Sequence, residues 1–268
     1  GKSTIFEMLE EELLRRGVSA DHIICKRYTE MDIPESITAK QMYDELMVAM
    51  ADKGHCYLLL DEIQEITGWE RAVNSLLEGA DADIYVTGSN YKLMSGEIST
   101  YLTGRYVSIP VYTLSFREYL DFKADSTLTR KELLEEYIRF GGFPIIALSQ
   151  YDAQNAHQIV NGIYHTVVSR DIVKRHRINK QDLFDRVVKF IIENVGKTFS
   201  ANSISTFLKS EHRKVSVESI YNYLRWLEQA FIIYPCERYD LQGKSILKTQ
   251  EKYYLADVSL KYALLGYN

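Results

Sequence analysis

The sequence predicts an α/β chain, with a parallel sheet wound by helices in its first part and a mainly helical second part that closes in short strands. Three observations carry this prediction. Short β-rich runs alternate with helical patterns over residues 22–90; CYLLLDEIQ at 56–64 is a continuous apolar run ending in acids, as in a strand buried on both faces; and the texture turns helical from about residue 115.

The elements follow in order. IFEMLEEELLRRG sets Ile5, Met8, Leu9, Leu13 and Leu14 at helical spacing, with Gly17 where a C-cap belongs. HIICKRY (22–28) reads as a strand and AKQMYDELMVAM (39–50) as a helix. Beyond the apolar run, WERAVNSLLEG (69–79) is a helix with a glycine stop, and DIYVTGSN (83–90) is a strand passing into a polar turn. Strand and helix in alternation build a doubly wound sheet. Next come SFREYLDF and RKELLEEYIRFGGFP, punctuated by Gly141, Gly142 and Pro144, and then a long helical stretch over 152–176. Three further helical patterns (182–196, 201–211, 216–230) precede two β-rich runs (231–240, 252–257) separated by Gly243, which is the order of a winged helix.

Length and composition bound the answer. A chain of 268 residues with 46% hydrophobic and 26% charged residues is globular and long enough for two domains. Cys25, Cys56 and Cys236 are odd in number and far apart, which excludes a disulfide framework and a CxxC motif and suits a reducing, cytoplasmic setting. The apolar runs fall short of the ~20 residues that a membrane span needs, and no basic, apolar leader opens the sequence, so no membrane partner is expected. The net charge of −5 divides unevenly: residues 1–169 hold 15 Lys+Arg against 26 Asp+Glu (−11), and residues 170–268 hold 17 against 11 (+6). Two modules with different partners are expected, the basic one suited to nucleic acid.

The chemistry starts at GKST. A phosphate-binding loop presents backbone N–H groups and a lysine to phosphates, with a Ser/Thr hydroxyl on Mg²⁺. Gly1, Lys2, Ser3 and Thr4 supply its last part; the leading glycine and the first strand are not in the sequence. In LLLDEIQ, Asp61 joins Ser3 as the expected Mg²⁺ holder, and Glu62 is placed to polarise an attacking water. VTGSN offers Ser89 to sense the terminal phosphate, with Thr87 and Asn90 as alternatives. In TGR, Arg105 has two readings: transition-state charge stabilisation, in cis or from a neighbouring subunit, and a structural ion pair.

DEIQEITGWE, YVTGSNYKLMSGE, YLTGR, VYTLSFREYL, GGFP and SRDIVKRHRI, in that order, resemble a prokaryotic family of AAA+-type P-loop ATPases. Members of that family carry a winged-helix region and a C-terminal, nuclease-like domain of uncharacterised function. The resemblance runs through essentially the whole chain. It implies ATP and Mg²⁺ as ligands and ATP hydrolysis as the activity, with no substrate inherited. The expected fold is a P-loop NTPase parallel sheet core lacking its first strand, followed by a helical lid and a winged-helix domain. The expected division is 1–114 (nucleotide-binding core), 115–178 (helical lid or linker) and 179–268 (winged helix and the start of a further domain). Because the family continues beyond LADVSLKYALLGYN, the chain is expected to be a piece of a longer ATPase.

In the winged helix, SVESIYNYLRWLEQA would enter the major groove. Its candidate nucleic-acid contacts are Lys214, Ser216, Ser219, Asn222 and Arg225, with Arg213 just before it and Lys244 and Lys248 in the wing. Protein docking is the alternative use of such a module. The cluster RDIVKRHR (170–177) has three readings: phosphate neutralisation by Arg170, Lys174, Arg175 and Arg177, cations gathered at a helix C-terminus, and Arg170 reaching the ATP site. The six histidines show no metal-ligand spacing, so no metal besides Mg²⁺ is expected. The leading expectation is an ATPase that couples hydrolysis to rearrangement of a DNA- or protein-binding module, with a homo-oligomer as a further partner class. Its rival is a non-hydrolysing DNA-binding or scaffolding module with nucleotide as a ligand switch.

Overall fold

The structure, a computed structural model, describes residues 1–29, 37–88, 102, 104–149, 152–173, 176–178, 180–211, 213, 215–236 and 251–266. They fall into two units, Gly1–Val111 and Tyr112–Asn268.

The first unit contains α1 (Lys2–Arg15), β1 (Ile23–Arg27), α2 (Ala39–Met50), β2 (Cys56–Asp61), α3 (Trp69–Gly79) and β3 (Ala82–Val86). The strands form one parallel sheet in the order β1-β2-β3, with Arg27 opposite Asp61 and Leu60 opposite Val86. Because side chains alternate along a strand, each strand feeds two cores. Cys56, Leu58 and Leu60 pack with Met42 and Leu46 of α2 and with Trp69, Val73 and Leu76 of α3. Leu59 and Ile23 pack on the other face with Leu13, Phe6 and Leu9 of α1. Both faces are therefore covered, which is why β2 reads as an unbroken apolar run. Each fully buried leucine of that run contributes about 1.5–3 kcal/mol relative to exposure.

The same alternation places Arg27, Asp61 and Thr87 in one row on the α1 face, at the carboxyl ends of the three strands. The ladder extends to this row, since the Tyr28 N–H donates to the Asp61 carbonyl (3.1 Å) and the Thr87 N–H to the Leu60 carbonyl (3.0 Å).

The second unit begins with α4 (Phe116–Phe122), α5 (Arg130–Phe140), α6 (Pro144–Leu148) and α7 (Ala153–Val167). Capping boxes start two of these: Ser115 with Glu118, and Thr129 with Glu132. At the end of α7 the backbone widens into a π turn, Val168–Val173, so the helix expected over 152–176 is interrupted. Next come α8 (Gln181–Glu193), β4 (Thr198–Phe199), α9 (Ala201–Ser210), α10 (Val217–Gln229), β5 (Ile233–Cys236), β6 (Glu251–Leu255) and α11 (Ser259–Leu265). The strands form an antiparallel sheet in the order β4-β6-β5.

One core gathers Ile146, Val160 and Tyr164 with Phe184, Ile191, Ile204, Leu224, Ile233 and Leu260. It runs across position 178, where the sequence suggested a boundary between a lid and a winged helix. A smaller cluster joins Tyr119, Leu133 and Ala147.

The glycine pair after α5 has a specific cause. Gly141 has φ +80°, and a Cβ there would lie 1.9 Å from Asp257 Oδ1; one on Gly142 would lie 2.2 Å from the Leu114 carbonyl oxygen. Asp257 is buried (3% exposed). Its Oδ2 accepts the Gly142 N–H (2.9 Å), and its Oδ1 accepts the Ser259 N–H (3.0 Å) and hydroxyl (2.5 Å). The Leu114 N–H donates to the Gly142 carbonyl (2.7 Å), and the Tyr137 hydroxyl donates to the Leu114 carbonyl (2.8 Å). Segments 143 positions apart in sequence, Leu114 and Asp257, are thereby tied to one glycine.

Candidate functional site

The first unit concentrates charge where the strands end and α1 begins. Gly1 caps α1, and the Ile5 N–H makes the first bond of the helix, to the Gly1 carbonyl (3.2 Å). The N–H groups of Lys2, Ser3 and Thr4 therefore precede that first bond, at the positive end of the helix dipole, an arrangement that binds anions. Ser3 is half-buried.

The Lys2 ammonium reaches across to the strand ends. It donates to the Gly88 carbonyl (2.5 Å), just beyond β3, and lies 3.8 Å from Glu62 Oε1. The acid pair and the lysine, separated by about sixty positions in sequence, therefore meet at one place.

Asp61 is buried (4% exposed) as the last residue of β2. Its Oδ1 accepts a short hydrogen bond from the Thr87 hydroxyl. Its Oδ2 lies 3.4 Å from Arg27 Nε and accepts no hydrogen bond among the described residues. The Arg27 guanidinium also reaches Glu7 Oε1 of α1 (3.3 Å). A buried carboxylate oxygen that accepts no hydrogen bond among the described residues, its charge balanced in part by the Arg27 guanidinium 3.4 Å away, has the chemistry of a ligand to a hard divalent cation and its waters.

Glu62 turns the chain. It has φ 54° and ψ 40°, a left-handed conformation that costs a non-glycine residue about 1–3 kcal/mol. Its N–H donates to Thr87 Oγ1 (3.2 Å), and the next N–H, that of Ile63, donates to the Thr87 carbonyl (3.1 Å). A 3₁₀ turn, Ile63–Glu65, follows, held by the fully buried Ile63 and Ile66. Gln64, also buried, donates from Nε2 to Glu62 Oε2 and to Glu65 Oε1 (3.4 Å).

Ser89, Asn90, Lys174, Arg175, Lys214, Lys244 and Lys248 are outside the described residues. Arg105 is not brought to the acid pair. Its guanidinium bonds Asn74 Oδ1 (3.1 Å) and Glu78 Oε1 (3.0 Å). Glu78 sits in the last turn of α3, which starts beyond the carboxyl end of β2 and returns to the amino end of β3. At 1.5 Å per residue it lies about 14 Å down that helix from Trp69, toward the amino ends of the strands. The ion-pair reading of Arg105 is the one its contacts match.

In the second unit the nucleic-acid candidates divide. Ser216 caps α10 by accepting the Ser219 N–H (3.0 Å), and the two hydroxyls share a 2.8 Å hydrogen bond. Arg213 bonds Asp182 Oδ2 (2.7 Å) and holds that carboxyl below the usual range, while Arg186 reaches the same carboxylate. Asn222 is half-buried and Arg225 exposed, and the exposed positions of α10 also carry Glu218 and Glu228. Three candidates thus have structural work of their own.

Sequence reasoning missed Arg27 and Gln64. The signal for Arg27 was a β-rich run ending in charge, as β2 does; for Gln64 it was a polar residue two places after the acid pair.

Among the described residues no helix is long and apolar enough to cross a membrane. Comparison with known proteins adds the following. Residues 1–120 match the family described as an AAA domain, and residues 131–268 match a domain of unknown function, DUF8612. An uncharacterised protein of Haemophilus influenzae is 34% identical over 271 residues, covering 99% of this chain and 67% of that protein. The uncharacterised protein MJ1544 of Methanocaldococcus jannaschii is 31% identical over 238 residues, covering 85% of this chain and 53% of its own length. The chain thus spans about two thirds of one relative and about half of the other. Among solved structures, the Walker-type ATPase PABY2304 of Pyrococcus abyssi superposes with a TM-score of 0.57 at 14% identity, over 96% of this chain and 87% of that one. The first unit has the α/β fold of P-loop ATPases.

Proposed function

Since the chain belongs to the family of the Haemophilus influenzae relative, and joins an AAA domain to DUF8612, we propose that its first unit binds ATP and hydrolyses it. The observation that carries this reading is the meeting of Lys2 with Glu62 (3.8 Å) at the N-terminus of α1. Lys2 and the first N–H groups of α1 neutralise the phosphates. Glu62 takes the proton of a water whose oxygen bonds to the terminal phosphorus, while the bond from that phosphorus to the bridging oxygen breaks and ADP leaves. Thr87 fixes both acids: its hydroxyl donates to Asp61 and accepts the Glu62 N–H. Mg²⁺, held by Asp61 and Ser3, would supply further charge neutralisation at the phosphates. Glu62→Gln in the full-length protein leaves ATP binding intact and lowers turnover by two or more orders of magnitude, on the order expected for a general base. Unchanged hydrolysis in that variant removes Glu62 from the mechanism.

The second unit supports a finer reading, in which hydrolysis rearranges a winged-helix module that binds DNA or protein. Helix, strand, helix, helix, strand, strand over 181–255, with the sheet order β4-β6-β5, supports that module. Arg225 and Asn222 are its candidate DNA contacts on α10; Arg225→Ala reduces the salt slope of DNA binding by about one if the arginine meets a phosphate. The rival, a nucleotide-switched DNA or scaffolding module, predicts steep salt dependence without turnover. The three free cysteines support a cytoplasmic setting, and a homo-oligomer that supplies an arginine in trans fits this mechanism.

A further inference from the structure

Gln64 has chemistry that its position in a turn does not require. The 3₁₀ turn Ile63–Glu65 is held by backbone bonds, Glu65 N–H to the Glu62 carbonyl (3.1 Å) and Ile66 N–H to the Ile63 carbonyl (3.0 Å), and by two fully buried isoleucines. A side chain at 64 is not needed to close it. Yet Gln64 is itself 7% exposed, and burying an amide is unfavourable unless it is hydrogen-bonded. It bonds the acid two places before it, through Nε2 to Glu62 Oε2.

A carboxylate on a freely rotating side chain presents either oxygen in many directions. Here the backbone of Glu62 is fixed by the left-handed turn and by its N–H on Thr87 Oγ1, and one carboxylate oxygen is held by the Gln64 amide. The other, Oε1, faces the Lys2 ammonium at 3.8 Å. Holding one oxygen directs the second toward the phosphate-binding lysine, which is where a water-activating oxygen has to be.

We propose that Gln64 is a positioning residue for hydrolysis, fixing the Glu62 carboxylate so that Oε1 faces the site marked by Lys2. The inference rests on the ATPase reading above and adds to it a residue that acts through Glu62.

The test is a double-mutant cycle on the full-length protein, measuring steady-state ATP turnover and the Kd of a fluorescent ATP analogue. Gln64→Leu keeps the volume and removes the donor; Gln64→Met removes the donor while keeping an unbranched, uncharged chain. Each lowers kcat by about 10- to 100-fold, the scale of a misaligned catalytic group, with the nucleotide Kd within about twofold of wild type. In a Glu62→Gln background neither change lowers kcat further, because Gln64 acts only through Glu62. A turn-stabilising role predicts the opposite pattern: weaker nucleotide binding or a lower melting temperature, and the same proportional loss in both backgrounds. That pattern, or an undiminished kcat in both variants, overturns the proposal. If Glu62→Gln itself retains full turnover, the ATPase mechanism fails first and this inference falls with it. If Gln64→Leu does not fold, Gln64→Met carries the comparison alone.

Discussion

Replacing Asp257 by alanine removes the acceptor that ties α5 to the segment leading into α11. Two backbone donors, the N–H groups of Gly142 and Ser259, lose their partner in a place where Asp257 itself is only 3% exposed. The Ser259 hydroxyl also loses its acceptor, but it can rotate to another. Each buried backbone donor left unsatisfied costs about 1–3 kcal/mol, so the expected loss is about 4 kcal/mol. Asn at the same position keeps one carbonyl oxygen for Ser259 and turns its NH₂ toward the Gly142 N–H, forfeiting one hydrogen bond; about 1.5 kcal/mol is expected. The assay is urea unfolding followed by tryptophan fluorescence. Trp69 lies in the first unit and Trp226 in the second, so a Trp69→Phe background makes the signal report the second unit alone. The reasoning is refuted if Asp257→Ala shifts stability by less than 1 kcal/mol, or if Asn is as damaging as Ala.

Other outcomes follow from the same geometry. Gly142→Ala drives a Cβ to 2.2 Å from the Leu114 carbonyl oxygen, breaks the Leu114–Gly142 pairing, and lowers the stability of the second unit by about 3 kcal/mol or more in the same unfolding assay. Thr87→Val removes the hydroxyl that serves both acids; turnover falls at least tenfold in a phosphate-release assay while the fold, read by circular dichroism, persists. His55 has its imidazole pKa raised, chiefly by its hydrogen bond to Asp81 and further by Asp83. Its contribution to stability is therefore complete below the ordinary imidazole value of about 6.5 and is lost as pH rises through the raised one. The melting temperature of the first unit declines over that window, and less so in Asp81→Asn.

The parts of the fold that were legible in the sequence are those whose period is unambiguous. CYLLLD could only be a strand covered on both faces, and it is. The helices at 39–50, 69–79 and 201–210 show apolar spacing that matches the packing they adopt. Shorter pieces escaped: β4 has two residues, and α6 is a helix of five hidden behind the GGFP punctuation, where Pro144 serves as a helix start rather than a break. The π turn at 168–173 left no mark, because VSRDIV is compatible with an ordinary helix.

The site divides in the same way. That Lys2 and Glu62 come together was legible because the chemistry of phosphate transfer prescribes their local motifs. Arg27 was not, because its partnership with Asp61 depends on the register of two parallel strands, which local sequence does not encode. Ser216 and Ser219, candidate DNA contacts in the sequence, also carry an N-cap signal, a serine three places before another ahead of a helical pattern, and they form that cap. The sequence leaves Arg105 two readings, and its contacts with Asn74 and Glu78 on α3 match the ion pair.

The tie between Leu114, Gly142 and Asp257 has a consequence for biosynthesis. In a chain emerging from the ribosome the strands β1, β2 and β3 can pair early, since they follow one another closely in sequence. The second unit must wait for Asp257 before Gly142 has its acceptor, so the 114 residues between the two stay exposed to chaperones and proteases in the interval. Ribosome stalling just before position 257 should therefore yield nascent chains in which the first unit resists protease and the second does not.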